Sequence, residues 1–366
     1  MIDLIYCSKC HRPYPEDHTP YLCECGGIFD YKELPTYRST AIKHQTQGMW
    51  KYAAMFGLES DSPTVTLGEG DTPLLSASVN GKEVFFKMES QNPTGSFKDR
   101  GTAVLLSFLL SRGIREAVED SSGNAGASFA AYAAKTGLLG TIYAPESTSG
   151  PKRRQIEMYG ANLVRIPGPR AEAARAVLAA VKEGKVYASH AYMPFGLAGY
   201  ATIAYEITGS MHEAPGTIIA PVGHGGLLYG VILGFEALLR AGEINRLPRF
   251  IGVQPENCSP MVSAFRNGSN EVCEFDATHT LAEGASVAAP VHGGAILKRM
   301  NSGMGLLVSA TEKEITDAYH MLARQGIYCE PTSSLSITPL LNDKISIVGT
   351  VVSILTGSGY KTNIIL

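Results

Sequence analysis

The chain has 366 residues, 45% of them hydrophobic and 18% charged. That is the composition of an ordinary globular protein with room for two domains at ~150 residues each. A net charge of -3 excludes an electrostatic case for nucleic acid or anionic lipid as partner, and no apolar run reaches the length of a membrane span.

The first element is loop-rich. Cys7, Cys10, Cys23 and Cys25 lie close together, with Pro13, Pro15 and Pro20 between them. Seven cysteines is an odd number, and this clustering fits a reducing cytoplasm and a bound metal better than a disulfide framework. The start of the chain lacks the basic and apolar regions of a secretory signal. A linker with helical character at 52–56 leads to a strand at 83–88. Beyond residue 98, helices are expected at 101–111, 125–136, 151–159, 171–183, 199–208, 227–241 and 312–325. Strands are expected at 116–121, 141–144, 162–166, 186–188, 217–221, 249–254 and 345–355. Short apolar strands alternating with helices of ten or more residues predict parallel sheets covered on both faces. The fold class is α/β, with two open parallel-sheet domains, and ligands are expected where loops leave the carboxyl ends of the strands.

The 39 glycines gather in short clusters, which points to backbone-lined sites. In NPTGSFKDR at 92–100, Lys98 follows a Pro/Gly-rich turn and precedes a helix. A lysine so fixed and partly desolvated suits imine chemistry, although most lysines are solvated surface charges. In SSGNAG at 121–126, small residues open a helix after a strand. Its amides and hydroxyls suit a carboxylate, and equally a plain helix cap. PVGHGGL at 221–227 gathers three glycines around His224 at another strand-to-helix junction, a phosphate nest or a tight turn. It is neither a Rossmann fingerprint nor a P-loop. Thr356 follows the last strand, where a hydroxyl can bond a heteroaromatic nitrogen or simply belong to a loop.

Taken in order, and with EGDTPL at 69–74 and CEPTSS at 329–334, these segments resemble the fold-type II pyridoxal-phosphate enzymes of the threonine-synthase-like family. The resemblance runs from the amino-terminal cysteines to Thr362. It implies a tryptophan synthase β-like fold with a zinc-ribbon-like unit and linker at 1–45, a large cofactor-binding domain at 46–95 and 196–366, and a small α/β domain at 96–195. It implies that Lys98 holds pyridoxal 5'-phosphate as a Schiff base and moves the substrate's α-proton. Asn124 would bond the cofactor's ring oxygen, and Gly223, His224, Gly225, Gly226 and Leu227 would bind its phosphate. Thr356 would face the pyridine nitrogen. A hydroxyl there stabilises a pyridinium less than a carboxylate does, which favours elimination and replacement over transamination. Ser121, Ser122 and the amide of Ala125 would hold the substrate carboxylate. Cys7, Cys10, Cys23 and Cys25 would hold a structural zinc, with the second pair spaced more tightly than is usual in the family.

The resemblance also implies an amino-acid substrate, a homodimer and, as activity, γ-elimination of phosphate from O-phosphohomoserine followed by addition of water to give threonine. One segment departs from the pattern. Relatives carry an Asn-Ser pair followed by a basic residue before the helix at 199, where this chain has Ser189-His190 and no arginine. Phosphate calls for such a cation. The alternatives are a solvated charge run at Lys152, Arg153 and Arg154, or contacts from Ser189, His190 and Tyr192, with His292 and Lys298 more remote. If His190 is the cation, activity should fall as pH rises through the imidazole range. The departure opens a second reading, β-elimination or β-replacement on another activated amino acid such as O-phosphoserine. A third, a protein that keeps the fold without catalysis, sits poorly with an intact lysine and intact loops.

Overall fold

The computed structural model describes residues 2–147 and 150–362. In chain order the first elements are β1 (Ile5–Cys7), β2 (Phe29–Tyr31), β3 (Leu74–Val79), β4 (Lys82–Lys87), α1 (Lys98–Ser111), β5 (Glu116–Glu119) and α2 (Asn124–Thr136). Next come β6 (Leu139–Pro145), α3 (Pro151–Met158), β7 (Asn162–Ile166), α4 (Arg170–Lys182), α5 (Gly196–Met211), β8 (Thr217–Pro221), α6 (Gly226–Arg240) and β9 (Arg249–Pro255). The chain closes with α7 (Pro260–Arg266), α8 (Gly293–Arg299), β10 (Gly305–Ala310), α9 (Glu312–Arg324), α10 (Pro331–Ser334) and β11 (Val351–Ile354). The chain divides into two compact units, one drawn from Met1–Gly70, Asn92–Gly199 and Lys361–Leu366, the other from Asp71–Gln91 and Tyr200–Tyr360.

In the first unit β5, β6 and β7 form a parallel sheet in that order, and Tyr187 adds a parallel bridge to Val118 on the free side of β5. The strand expected at 186–188 is reduced to this bridge, because the segment turns away at Ser189. The alanine-rich α2 ends at Gly137, whose φ of 71° suits glycine and closes the helix. An antiparallel ladder joins β1 to β2 near the four cysteines. Tyr14 ties this region to α1, with its ring 4.7 Å from Phe29 and 5.1 Å from Phe195, which itself stacks on Phe108.

In the second unit the described strands run β10-β9-β8-β11-β4-β3, all parallel except the hairpin partner β3. Every residue of β8 and β11 is buried, as central parallel strands require. The core includes Val84, Phe86, Ile219, Ile251, Leu335 and Val351. Two strands escape the sequence pattern. β3 is largely exposed, and β10 follows a glycine-rich stretch without the expected alternation. The strand expected at 345–355 is shortened to Val351–Ile354, since Gly349 turns at a φ of 57°.

Candidate active site

Lys98 is the first residue of α1 and is half-buried. Its neighbour Asp99 fixes the turn before it: the carboxylate accepts the Thr94 amide at 2.7 Å and the Thr94 hydroxyl at 2.6 Å. Burial pushes Asp99 up to about 6, against the lowering effect of Thr94, Ser128 and Lys361. Asn92 closes the same turn by accepting the Gly70 amide at 3.0 Å. Behind Lys98, a Cβ at Gly199 would collide with the Arg100 carbonyl, so only glycine lets α5 begin this close to α1. A lysine held by a pinned turn and a packed helix has little freedom of position.

The carboxyl end of β5 holds a cluster of charge. Glu119 is fully buried, its Oε1 lies 2.7 Å from Nδ1 of His190, and its Oε2 accepts the His190 amide at 3.2 Å. Burial pushes Glu119 up to about 8, and the His190 amide, Lys98 and Arg170 pull the other way. Asp120 accepts the Tyr187 hydroxyl at 2.8 Å and is raised by burial and by Glu119. Lys98, Glu119 and His190 therefore share one neighbourhood. Ser121 is buried and accepts the Gly123 amide at 3.3 Å, while Ser122 and Asn124 are half-buried at the start of α2. A Cβ at Gly126 would collide with the Ser121 carbonyl, so the 121–126 turn folds tightly onto its own helix. Ser189 turns the chain, its hydroxyl accepting the amides of Ala191 and Tyr192 at 3.4 and 3.3 Å.

In the second unit α6 starts at Gly226 directly after β8. Its cap, Gly225, has a φ of 93° and no side chain bonds into the first turn. The helix dipole and its leading amides make this junction suited to an anion. A Cβ at Gly223 would stand 2.8 Å from the Gly284 carbonyl, and one at Gly225 only 2.7 Å from Ile296. His292 lies against this loop and donates its amide to the His224 carbonyl at 3.0 Å, whereas Lys298 is exposed. Thr356 is buried after β11, and its hydroxyl lies 3.1 Å from Oε1 of Glu330 and 3.0 Å from the Ser333 hydroxyl.

The sequence model of the family described as pyridoxal-phosphate dependent enzyme matches residues 65–357. Threonine synthase of Methanocaldococcus jannaschii is 34% identical over 91% of this chain and 86% of its own. That of Methanosarcina acetivorans is 32% identical over 97% of this chain and 91% of its own. The chain belongs to the threonine-synthase-like pyridoxal-phosphate enzymes. A bacterial-type threonine deaminase structure, from T.th., superposes with a TM-score of 0.69 at 25% identity, covering 80% of this chain and 94% of the other. Maize serine racemase, at 22% identity and a TM-score of 0.71 over 80% of this chain and 88% of its own, shares the fold.

This lyase carries groups that motif reasoning passed over. Glu330 belongs to a segment that supports the resemblance, yet its carboxylate stands directly behind Thr356, so the hydroxyl is not isolated from negative charge. Glu119 and Asp120 read as the end of a strand. Arg170, at the start of α4, acts electrostatically on both carboxyls, although no arginine precedes Gly199 in the segment where relatives carry one.

The four amino-terminal thiols, Cys7, Cys10, Cys23 and Cys25, come together with all their sulfurs within 4.8 Å of one another. The Cys7–Cys25 and Cys10–Cys23 sulfurs are 3.4 and 3.6 Å apart, near the ~3.8 Å edge of a tetrahedron with zinc–sulfur bonds. Burial raises the Cys7 thiol, but amides of Cys10 and Lys9 and the neighbouring thiols outweigh it and bring it down to about 6. A Cβ at Gly27 would collide with the Cys7 sulfur, so glycine is what lets the second knuckle close. The donor set fits a closed, four-thiolate metal site.

Proposed function

We propose that this enzyme eliminates phosphate from O-phosphohomoserine and adds water to give threonine. The observation that carries the reading is the similarity to threonine synthases over more than nine tenths of the chain, together with loops kept at the strand ends. Bound pyridoxal phosphate supplies the electron sink for the carbanion left when the α-proton departs. Lys98 carries the cofactor and moves that proton. Asn124 bonds the cofactor's ring oxygen, Gly223, His224, Gly225, Gly226 and Leu227 bind its phosphate, and Thr356, backed by Glu330, meets the ring nitrogen. Ser121, Ser122 and the amide of Ala125 orient the substrate carboxylate, and His190 with Ser189 faces the leaving group. The cysteines hold a structural zinc, and the protein works as a cytoplasmic homodimer; the thiol geometry supports the first of these and family resemblance the second. No described helix is long and apolar enough to cross a membrane.

A second reading, β-elimination or β-replacement on O-phosphoserine or a similar amino acid, is favoured by Ser189-His190 and by the likeness to a threonine deaminase. Incubation with each phosphorylated amino acid separates the two. Equimolar phosphate and threonine from O-phosphohomoserine are expected. Phosphate released only from O-phosphoserine would replace the first reading with the second.

A further inference from the structure

The pair at the end of β5 has a property that neither residue has alone. Both carboxylate oxygens of Glu119 engage residue 190, one its ring and the other its backbone amide. Rotating the imidazole breaks the first bond, and shifting the backbone breaks the second. The 2.7 Å contact between Oε1 and Nδ1 requires a proton between two atoms that both carry lone pairs. If that proton sits on the carboxyl, the ring is neutral and its own hydrogen lies on Nε2. If it sits on Nδ1, the ring is an imidazolium and Nε2 again carries a hydrogen. Only loss of the shared proton turns Nε2 into an acceptor.

We propose that Glu119 is a positioning residue that fixes the His190 ring and keeps a hydrogen on Nε2, so that residue 190 donates to the substrate's phosphoryl group whether or not the ring is charged. This rests on the phosphorylated-substrate reading above, and it explains how the site manages without the arginine its relatives place before this helix. A fixed neutral donor avoids the cost of burying a lone cation, and it still meets the demand of a desolvated anion. Burial pushes Glu119 up to about 8, so the shared proton persists through neutral pH. Each neighbouring element contributes to that balance: Lys98 from α1, Arg170 from α4, Asp120 beside it on the loop, and Tyr187 from the bridging segment. The alkaline loss of activity expected from an isolated imidazole therefore moves up to the titration of the pair.

Isotope-labelled histidine NMR on the holoenzyme reads the ring directly, with the His190 signal assigned by its loss in His190→Gln. A protonated Nε2 is expected from mildly acidic pH to about 8, and a mixture of tautomers at neutral pH in Glu119→Leu. Binding of the phosphonate isostere of O-phosphohomoserine, followed in the cofactor's absorbance, should weaken about tenfold or more in Glu119→Leu, as for loss of one hydrogen bond to a charged group. Binding of alanine, which lacks the anion, should not change. Glu119→Gln, whose amide can still donate to Nδ1, should recover most of the affinity. An unprotonated Nε2 in the wild type at neutral pH overturns the positioning role, as does unchanged phosphonate binding in Glu119→Leu. Wild-type protein that binds no phosphonate and turns over no phosphorylated amino acid overturns the substrate reading instead, while the NMR result still decides the hold of Glu119 on the ring.

Discussion

At the scale of single residues, the most consequential side chain is one whose chemistry depends on where it is buried. An unfolded glutamate titrates near 4.5, and Glu119 in the folded chain is pushed up to about 8. The folded state therefore binds the proton more tightly than the unfolded state. The stability this contributes is complete below the unfolded value and is lost as pH rises through the folded one. Glu119→Gln removes the titration while keeping the shape. Its unfolding temperature relative to wild type should climb by several degrees from mildly acidic pH to about 8, whatever constant offset the lost hydrogen bonds impose. Thermal melts across that range check it, and a difference that stays flat would show that Glu119 ionises freely. Nothing in the sequence announces this residue. His190 stands out at the end of a predicted strand, but its partner lies 71 positions away and meets it only because Tyr187 bridges to Val118. The same holds for Glu330, which a motif contains but which only packing sets against Thr356.

The elements repeat one device, a buried strand that ends in a tight turn of small residues opening a helix. It was legible from 98 to 254 because apolar runs of strand length alternate there with helical periodicity, and because Gly, Ser and Asn cluster between them. It was illegible where tertiary context decides. β3 is an exposed edge strand without a buried face, and the glycine turn at 349 interrupts an apolar run that reads as one strand. EGDTPL at 69–74 looks like one motif, yet its halves serve different units. Glu69 gathers Trp50, Leu67 and Tyr132 in the first, while in the second the Asp71 amide bonds Glu206, itself paired with the buried Lys87 at 2.6 Å. At the glycine nest, Gly225→Asp sets a carboxylate and a strained φ at the start of α6. Cofactor affinity should fall by orders of magnitude, with far-ultraviolet circular dichroism unchanged. Gly225→Ala, which adds strain without charge, should lose much less. Equal affinity in a folded Gly225→Asp protein would move the cofactor's phosphate elsewhere.

For the whole molecule, the amino-terminal cysteines have a role out of proportion to their size. The segment is short and loop-rich, and its two strands of three residues each cannot hold a fold by themselves. What anchors it is a core of Tyr14, Phe29, Phe108 and Phe195, and Phe108 belongs to α1, the helix that begins with Lys98. A metal that clamps the four thiolates would thus brace the unit that carries the lysine, although four protein ligands leave no open position for catalysis. Metal binding to such a site is itself folding free energy. Protein prepared without chelator should contain one zinc per chain by elemental analysis. Cys7→Ser with Cys10→Ser should remove it and lower the unfolding temperature by several degrees. Hydrogen exchange locates the damage: amides of β1, β2 and α1 should lose protection, whereas those of β8 and β11 should hold. A zinc-free wild-type protein, or metal that survives loss of both cysteines, would end the clamp idea. Faster exchange spread evenly over both units would mean that the metal stabilises the chain without bracing the lysine.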